Sequence, residues 1–71
     1  MIKEKTITEI KDALSSLEVK KLWKINHEGT KVKVVRKTDD AYDIYRNGHH
    51  VTTDETWEQA FELVKVFLEK S

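Results

Sequence analysis

The stretch KVKVVRKTDDAYDIYRNGHH, residues 31–50, decides the fold because its apolar residues alternate with polar ones. Val32 and Val34 take one side of an extended chain and lysines take the other, which is typical of a strand with one buried face. Asn47-Gly48 is a preferred pair for a type I′ turn, in which both central residues need positive φ. The stretch therefore predicts strands at 31–37 and 41–46 and a short strand at 49–52.

The preceding segment predicts one more strand. Within residues 20–25, Trp23 and Ile25 fall on one side and Leu22 and Lys24 on the other. Residues 26–29 form a turn in which glycine supplies a positive φ. The apolar side of the predicted sheet then consists of Trp23, Ile25, Val32, Val34, Ile44 and Val51.

Apolar residues spaced by three and four predict a helix on each side of these strands. Thr6 and Glu9 have the spacing of a capping box, which predicts the first helix at about residues 7–18. Thr53 or Asp54 is the predicted N-cap of the second helix. The first apolar stripe is Ile7, Ile10, Leu14 and Leu17, and the second is Trp57, Ala60, Phe61, Val64, Phe67 and Leu68.

These elements define a single α+β domain over residues 1–71. The predicted order is α-β-β-β(-β)-α, with a three- or four-stranded antiparallel sheet covered on one face by two helices. A chain of 71 residues without cysteine has a thin core and no disulfide or thiolate metal site to reinforce it. A homodimer is therefore one of the expected arrangements.

The chain has the character of a soluble cytoplasmic protein. No run of 18 apolar residues occurs, and the first residues lead into a polar stretch, so we expect neither a membrane span nor a signal peptide. The absence of cysteine is typical of a reducing compartment, which favours the cytoplasm.

Charge is divided into two opposed blocks. Residues 20–37 hold seven Lys or Arg and one Glu, whereas residues 38–62 hold seven Asp or Glu and one Arg. The formal net charge is zero, which argues against general attraction to polyanions but permits a local basic surface. Strand parity predicts that the basic surface lies on the open side of the sheet, and its candidate binding residues are Lys24, Lys31, Lys33, Tyr45 and His50.

A second candidate surface is acidic and lies along the outer side of the second helix, with Asp54, Glu58 and Glu62 as its binding residues. Such a surface attracts a basic partner through steered association, although a solvated helix face has the same composition. On the basic side the corresponding alternative is a cross-strand ion pair between Lys33 and Asp43.

The sequence predicts no enzyme, no metal and no cofactor. It holds no glycine-rich phosphate loop, and both glycines are explained by turns. His49 and His50 are adjacent, so in a strand they point to opposite faces, and no cysteine is present to complete a metal site.

The element order α-β-β-β-α resembles that of the double-stranded RNA-binding domain. That family places a basic cluster at the start of its second helix to hold phosphates. Residues 54–58 of this chain are DETWE, whose carboxylates repel phosphate. The resemblance is therefore one of element order only, it argues against binding of an RNA duplex, and no binding residue is carried over from it.

The expected function is that of a small non-enzymatic interaction module. Its partner is another protein or a second copy of the chain, contacted through the open sheet face and the acidic helix flank. The alternative is binding of single-stranded nucleic acid, in which lysines hold phosphates and Tyr45 or His50 stacks on bases.

Overall fold

A computed structural model describes residues 2–70 and confirms the α+β fold with four strands. The order is α-β-β-β-β-α, and the two helices pack on one face of the sheet. The elements are α1 (Glu4–Ser15), β1 (Leu22–His27), β2 (Thr30–Thr38), β3 (Ala41–Arg46), β4 (His49–Asp54) and α2 (Trp57–Glu69).

The sheet is an antiparallel meander with the strand order β1-β2-β3-β4. Val32, Val34 and Ile44 point toward the helices and are fully buried, as the alternation of residues 31–50 predicts. Lys31 on the opposite face is exposed, and Lys33 is half-buried. The core between sheet and helices is formed by Ile2, Ile10, Leu14, Leu17, Val32, Val34, Tyr42, Ile44, Ala60, Val64 and Leu68.

Two bulges adjust the phase of the strands. A two-residue turn pairs Thr38 with Ala41, and the register then shifts so that Val34 meets Ile44. Lys37 is the additional residue in this shift. Without the bulge, the turn would place Val34 opposite Tyr45 and bring residues of opposite faces into pairs. The bulge therefore reconciles the short turn with the hydrophobic alternation.

The second bulge explains why one sequence prediction is wrong. Val51 was expected in the core, but it is 46% exposed. Tyr45 pairs with His50 and Ile44 pairs with Thr52, so Val51 is the additional residue on β4. Thr52 takes the place opposite Ile44 that regular pairing would give to Val51.

Both hairpins with glycine turns have two consecutive residues of positive φ. At Asn47 and Gly48 the φ values are 51° and 86°, as the predicted type I′ turn requires. The Asn47 side chain adds a long-range contact, because its Oδ1 accepts a hydrogen bond of 2.9 Å from the Lys31 backbone N–H. Glu28 and Gly29 have φ values of 50° and 86° at the β1–β2 turn. That turn and the β3–β4 turn fix the registers of β1 and β4.

The helix starts differ from the predicted ones. α1 begins at Glu4 after Lys3, which makes no side-chain cap, so the capping-box prediction at Thr6 and Glu9 is wrong. α1 also ends at Ser15, and Leu17 is buried just beyond the helix.

The α2 N-cap is Thr56 rather than Thr53 or Asp54. The Thr56 hydroxyl accepts a hydrogen bond from the Gln59 N–H, and the Gln59 side chain accepts from the Thr56 N–H. This reciprocal pair is a capping box with Gln at its third position. It allows β4 to continue to Asp54 before the helix begins.

Arg36 connects the segment that follows α1 to the sheet. Its Nη1 donates a hydrogen bond of 2.7 Å to the carbonyl oxygen of Leu17, and its guanidinium carbon lies 5.2 Å from the ring centre of Tyr42. Arg36 is therefore held by contacts within the fold, although the sequence places it in the basic block.

Candidate functional site

The open face of the sheet carries a groove with a volume of about 430 Å³. We call it the basic groove, because no carboxylate contributes to its lining. The residues around it are Lys24, Ile25, Asn26, Lys31, Val32, Lys33, Tyr45 and Gly48. Four of the predicted binding residues, Lys24, Lys31, Lys33 and Tyr45, are therefore together at one site.

The register of β1, β2 and β3 sets the positions of these side chains. Lys24 pairs directly with Lys33, Asn26 pairs with Lys31, and Lys33 pairs with Tyr45. Side chains at directly paired positions are neighbours on one face, and like charges there are destabilising. The Lys24–Lys33 pair is thus a position where the folded sheet brings two cations together.

Tyr45 lies beneath a cation and beside a second ring. The Lys33 Nζ is 4.5 Å from the ring centre of Tyr45, within the range of a cation–π contact. His50 approaches Tyr45 in an edge arrangement, with ring centres 5.2 Å apart. His50 therefore adjoins the basic groove without lining it.

The groove lysines have no carboxylate partner within residues 2–70. The ion pairs of lysine in this part of the chain are Lys37 with Asp43 and Lys65 with Glu62. The cross-strand ion pair expected between Lys33 and Asp43 is wrong, because Asp43 is paired with Val35 on β2. Lys33 contacts Tyr45 instead.

Asp43 is the centre of a separate group on the same face, the Asp43 cluster, formed with Lys37, His50 and Thr53. The Asp43 residue is 5% exposed. The Lys37 Nζ lies 3.0 Å from its Oδ2, the Thr53 hydroxyl donates to its Oδ1, and the His50 Nε2 lies 3.6 Å from the same Oδ1. The lysine reaches this carboxylate from the β2 bulge.

These contacts change the ionisation of the cluster. The Thr53 hydroxyl, followed by Lys37, lowers the pKa of Asp43 below its ordinary value of 3.8, against the opposing effect of burial. Asp43 in turn raises the pKa of Lys37, because its carboxylate accepts a hydrogen bond from the Lys37 ammonium group. The carboxylate is therefore ionised and occupied by its own neighbours.

A second groove, the acidic groove, lies between β4 and α2 and has a volume of about 560 Å³. Asp54 and Glu62 are its acidic residues, and burial raises the pKa of Asp54. Glu58, the third predicted acidic residue, is exposed on α2 but does not line this groove. The other lining residues are Thr52, Gln59, Leu63 and Val66.

The outer side of α2 carries an exposed ridge formed by Glu58, Glu62 and Val66, which are spaced one turn apart. Val66 is 38% exposed. Glu62 also lies 3.3 Å from the Lys65 Nζ, but an exposed pair three residues apart contributes little stability. Sequence reasoning missed Val66, since an isolated exposed valine in a helix carries no signal until its neighbours are placed.

Across residues 2–70, no three His, Cys, Asp or Glu side chains are grouped as a metal site would require. None of the helices in this same range is both long and apolar enough to cross a membrane.

The chain shows no significant match to a family model, a curated protein or a solved structure. Its function therefore has to be inferred from the surfaces themselves.

Proposed function

We propose that the protein is a small, non-enzymatic, cytoplasmic interaction module that binds an acidic surface of a partner protein on its open sheet face. The observation that carries the proposal is the uncompensated charge of the basic groove. Lys24 and Lys33 are directly paired, and Lys31 is close by, without a carboxylate in the lining. An anionic partner would neutralise this group, and its carboxylates would receive charge-assisted hydrogen bonds.

Three features favour a protein over a nucleic acid as the partner. The chain has no net positive charge, whereas nucleic-acid-binding domains usually do. Lys33 covers the ring of Tyr45, which leaves less of the ring for stacking on a base. The groove also includes the polar Asn26 beside Lys31, which suits the mixed composition of a protein contact.

The acidic flank of α2 and β4 is a second contact surface in this proposal. Asp54 is partly removed from water, and within residues 2–70 it has no cationic partner at ion-pair distance. A basic group from a partner would offset the cost of that burial. The two surfaces have opposite charge and lie on different sides of the domain, so they would act on different partner groups.

The first test is a titration of the ¹⁵N-labelled protein with a glutamate-rich helical peptide at low salt, followed by NMR. We expect the amide shifts to concentrate at Lys24, Lys33 and Tyr45. Lys33→Glu should weaken binding by about tenfold, since it places a repelling charge in the contact. Lys11→Glu is the matched control, because it makes the same charge change on the exposed side of α1. Equal weakening by both variants, or shifts elsewhere, would contradict the proposal.

Single-stranded nucleic acid is the second candidate, and the observation that favours it is the pair of rings Tyr45 and His50 beside the lysines. A mixed-sequence oligonucleotide serves as the comparison ligand. If nucleic acid is the partner, the oligonucleotide should bind more tightly than the peptide. Lys33→Glu should then reduce the salt dependence of log K by about one unit. Absence of shifts with the oligonucleotide would exclude this candidate.

A further inference from the structure

The ridge on α2 and the open sheet face of the same chain have complementary patterns. On the ridge, Glu58 and Glu62 are four residues apart, which places their Cβ atoms about 5–6 Å from each other. On the sheet, Lys24 and Lys33 are directly paired, with Cβ atoms about 5 Å apart. The positions that carry the two carboxylates and the two ammonium groups thus have similar Cβ separations.

An exposed aliphatic residue lies next to each charged pair. Val66 follows Glu62 one turn later on the ridge, and it is 38% exposed. Leu22 lies on the same side of β1 as Lys24, two residues away, and it is 54% exposed. The aliphatic residue continues the row of glutamates on the ridge, whereas on the sheet it lies along β1, at about a right angle to the Lys24–Lys33 pair, so the match consists of the charges alone.

One molecule cannot join its own two surfaces. α2 packs on the face of the sheet opposite the basic groove, so the ridge points away from the lysines of its own chain. Contact between identical surfaces is also unfavourable, because it would place lysines on lysines or glutamates on glutamates. The complementary contact has to form between different molecules.

We infer that the acidic partner surface is carried by a second copy of the chain, whose α2 ridge places Glu58 and Glu62 against Lys33 and Lys24. This inference rests on the proposed function and names its partner. The contact is heterologous, since each copy uses its sheet face toward one neighbour and its ridge toward another. Copies therefore associate head to tail, and salt should weaken the association because both charged pairs are near the surface.

The test compares the wild type with charge-swapped variants by sedimentation velocity over a concentration series at low and high salt. We expect the sedimentation coefficient of the wild type to rise with concentration at low salt. Lys24→Glu with Lys33→Glu should abolish the rise, and Glu58→Lys with Glu62→Lys should do the same. The chain carrying all four substitutions regains complementarity with a net charge of zero and should associate again.

The matched control combines Lys24→Glu and Lys33→Glu with Glu4→Lys and Glu9→Lys, which are exposed on α1. This control also has a net charge of zero, but its sheet face and ridge are both acidic, so it should remain monomeric. Association of the control as strong as that of the four-fold swap would overturn the inference, because net charge alone would then explain the result. Circular dichroism of every variant verifies the fold.

The failure of this inference is distinguishable from the failure of the proposed function. A wild type that stays monomeric at every concentration and at low salt overturns self-association. The glutamate-rich peptide, titrated onto the same monomer, then reports independently on whether the basic groove binds acidic segments.

Discussion

The two halves of the open sheet face differ in whether their charged side chains have partners of opposite charge. On β3 and β4, Asp43 is enclosed by Lys37, Thr53 and His50 in the Asp43 cluster. On β1 and β2, Lys24 and Lys33 are paired with each other and have no carboxylate within residues 2–70. The charges of the first half are satisfied internally, which is typical of a structural role, whereas the uncompensated lysines of the second support the binding role that we propose.

The largest expected effect on stability is that of Asp43→Ala. The substitution removes a carboxylate that is hardly exposed and leaves the Thr53 hydroxyl and Lys37 without their acceptor. Hydrogen bonds to a charged group contribute about 1.5–3 kcal/mol, and the exposure of the Lys37 side chain places the expected loss at about 1–2 kcal/mol. Urea unfolding measures it. A loss no greater than that of Lys31→Ala would remove the structural distinction between the two halves.

The pH dependence of stability separates Asp43 from the acidic groove. The folded pKa of Asp43 lies below 3.8, so its contribution is complete above that value and is lost as the pH falls through the folded pKa. The folded pKa of Asp54 lies above 3.8, so its ionisation opposes folding at neutral pH, and this cost disappears as the pH falls toward 3.8.

Two variants therefore change stability in opposite directions at pH 7. Asp43→Asn should lower the free energy of unfolding, and Asp54→Asn should raise it by a smaller amount, since burial is its single cause. Both differences should diminish at pH 3. Urea unfolding at the two pH values provides the measurement, and a destabilised Asp54→Asn at pH 7 would contradict the assigned direction.

The smallest expected effect on stability is that of Lys24→Glu. This substitution replaces a like-charge pair by a Glu opposite Lys33, which should stabilise the fold by about 0.5 kcal/mol. The same substitution should weaken binding of the acidic peptide by about tenfold, as Lys33→Glu does. Lys31→Glu is the control, because Lys31 is paired with Asn26 and its reversal should leave stability nearly unchanged. A destabilised Lys24→Glu would mean that Lys24 has a structural role instead.

Alternation along the strands was sufficient to predict the layer arrangement. Val32, Val34 and Ile44 are buried because their side of the sheet meets the helices, and period-two patterns report this directly. The same parity placed Lys24, Lys31, Lys33 and Tyr45 on the open face, where they line one groove.

Register was not predictable in the same way. A bulge inserts one residue and changes which side chains face the core, yet it leaves no clear mark in the composition of a strand. The bulge at Val51 displaced that residue from the core. The register of β2 with β3 places Asp43 in an ion pair with Lys37 rather than Lys33. Both errors arise from pairing between strands, which depends on the turns and the whole core.

The bulge in β4 also affects what kind of assembly the chain permits. β4 is an edge strand, and regular edges offer their free N–H and C=O groups as a template for another strand. The irregular step at Val51 interrupts this template along β4, whereas the opposite edge, β1, is regular. If copies associate through side-chain charges as we propose, a second sheet brought up to β4 would find no continuous row of backbone groups to pair with.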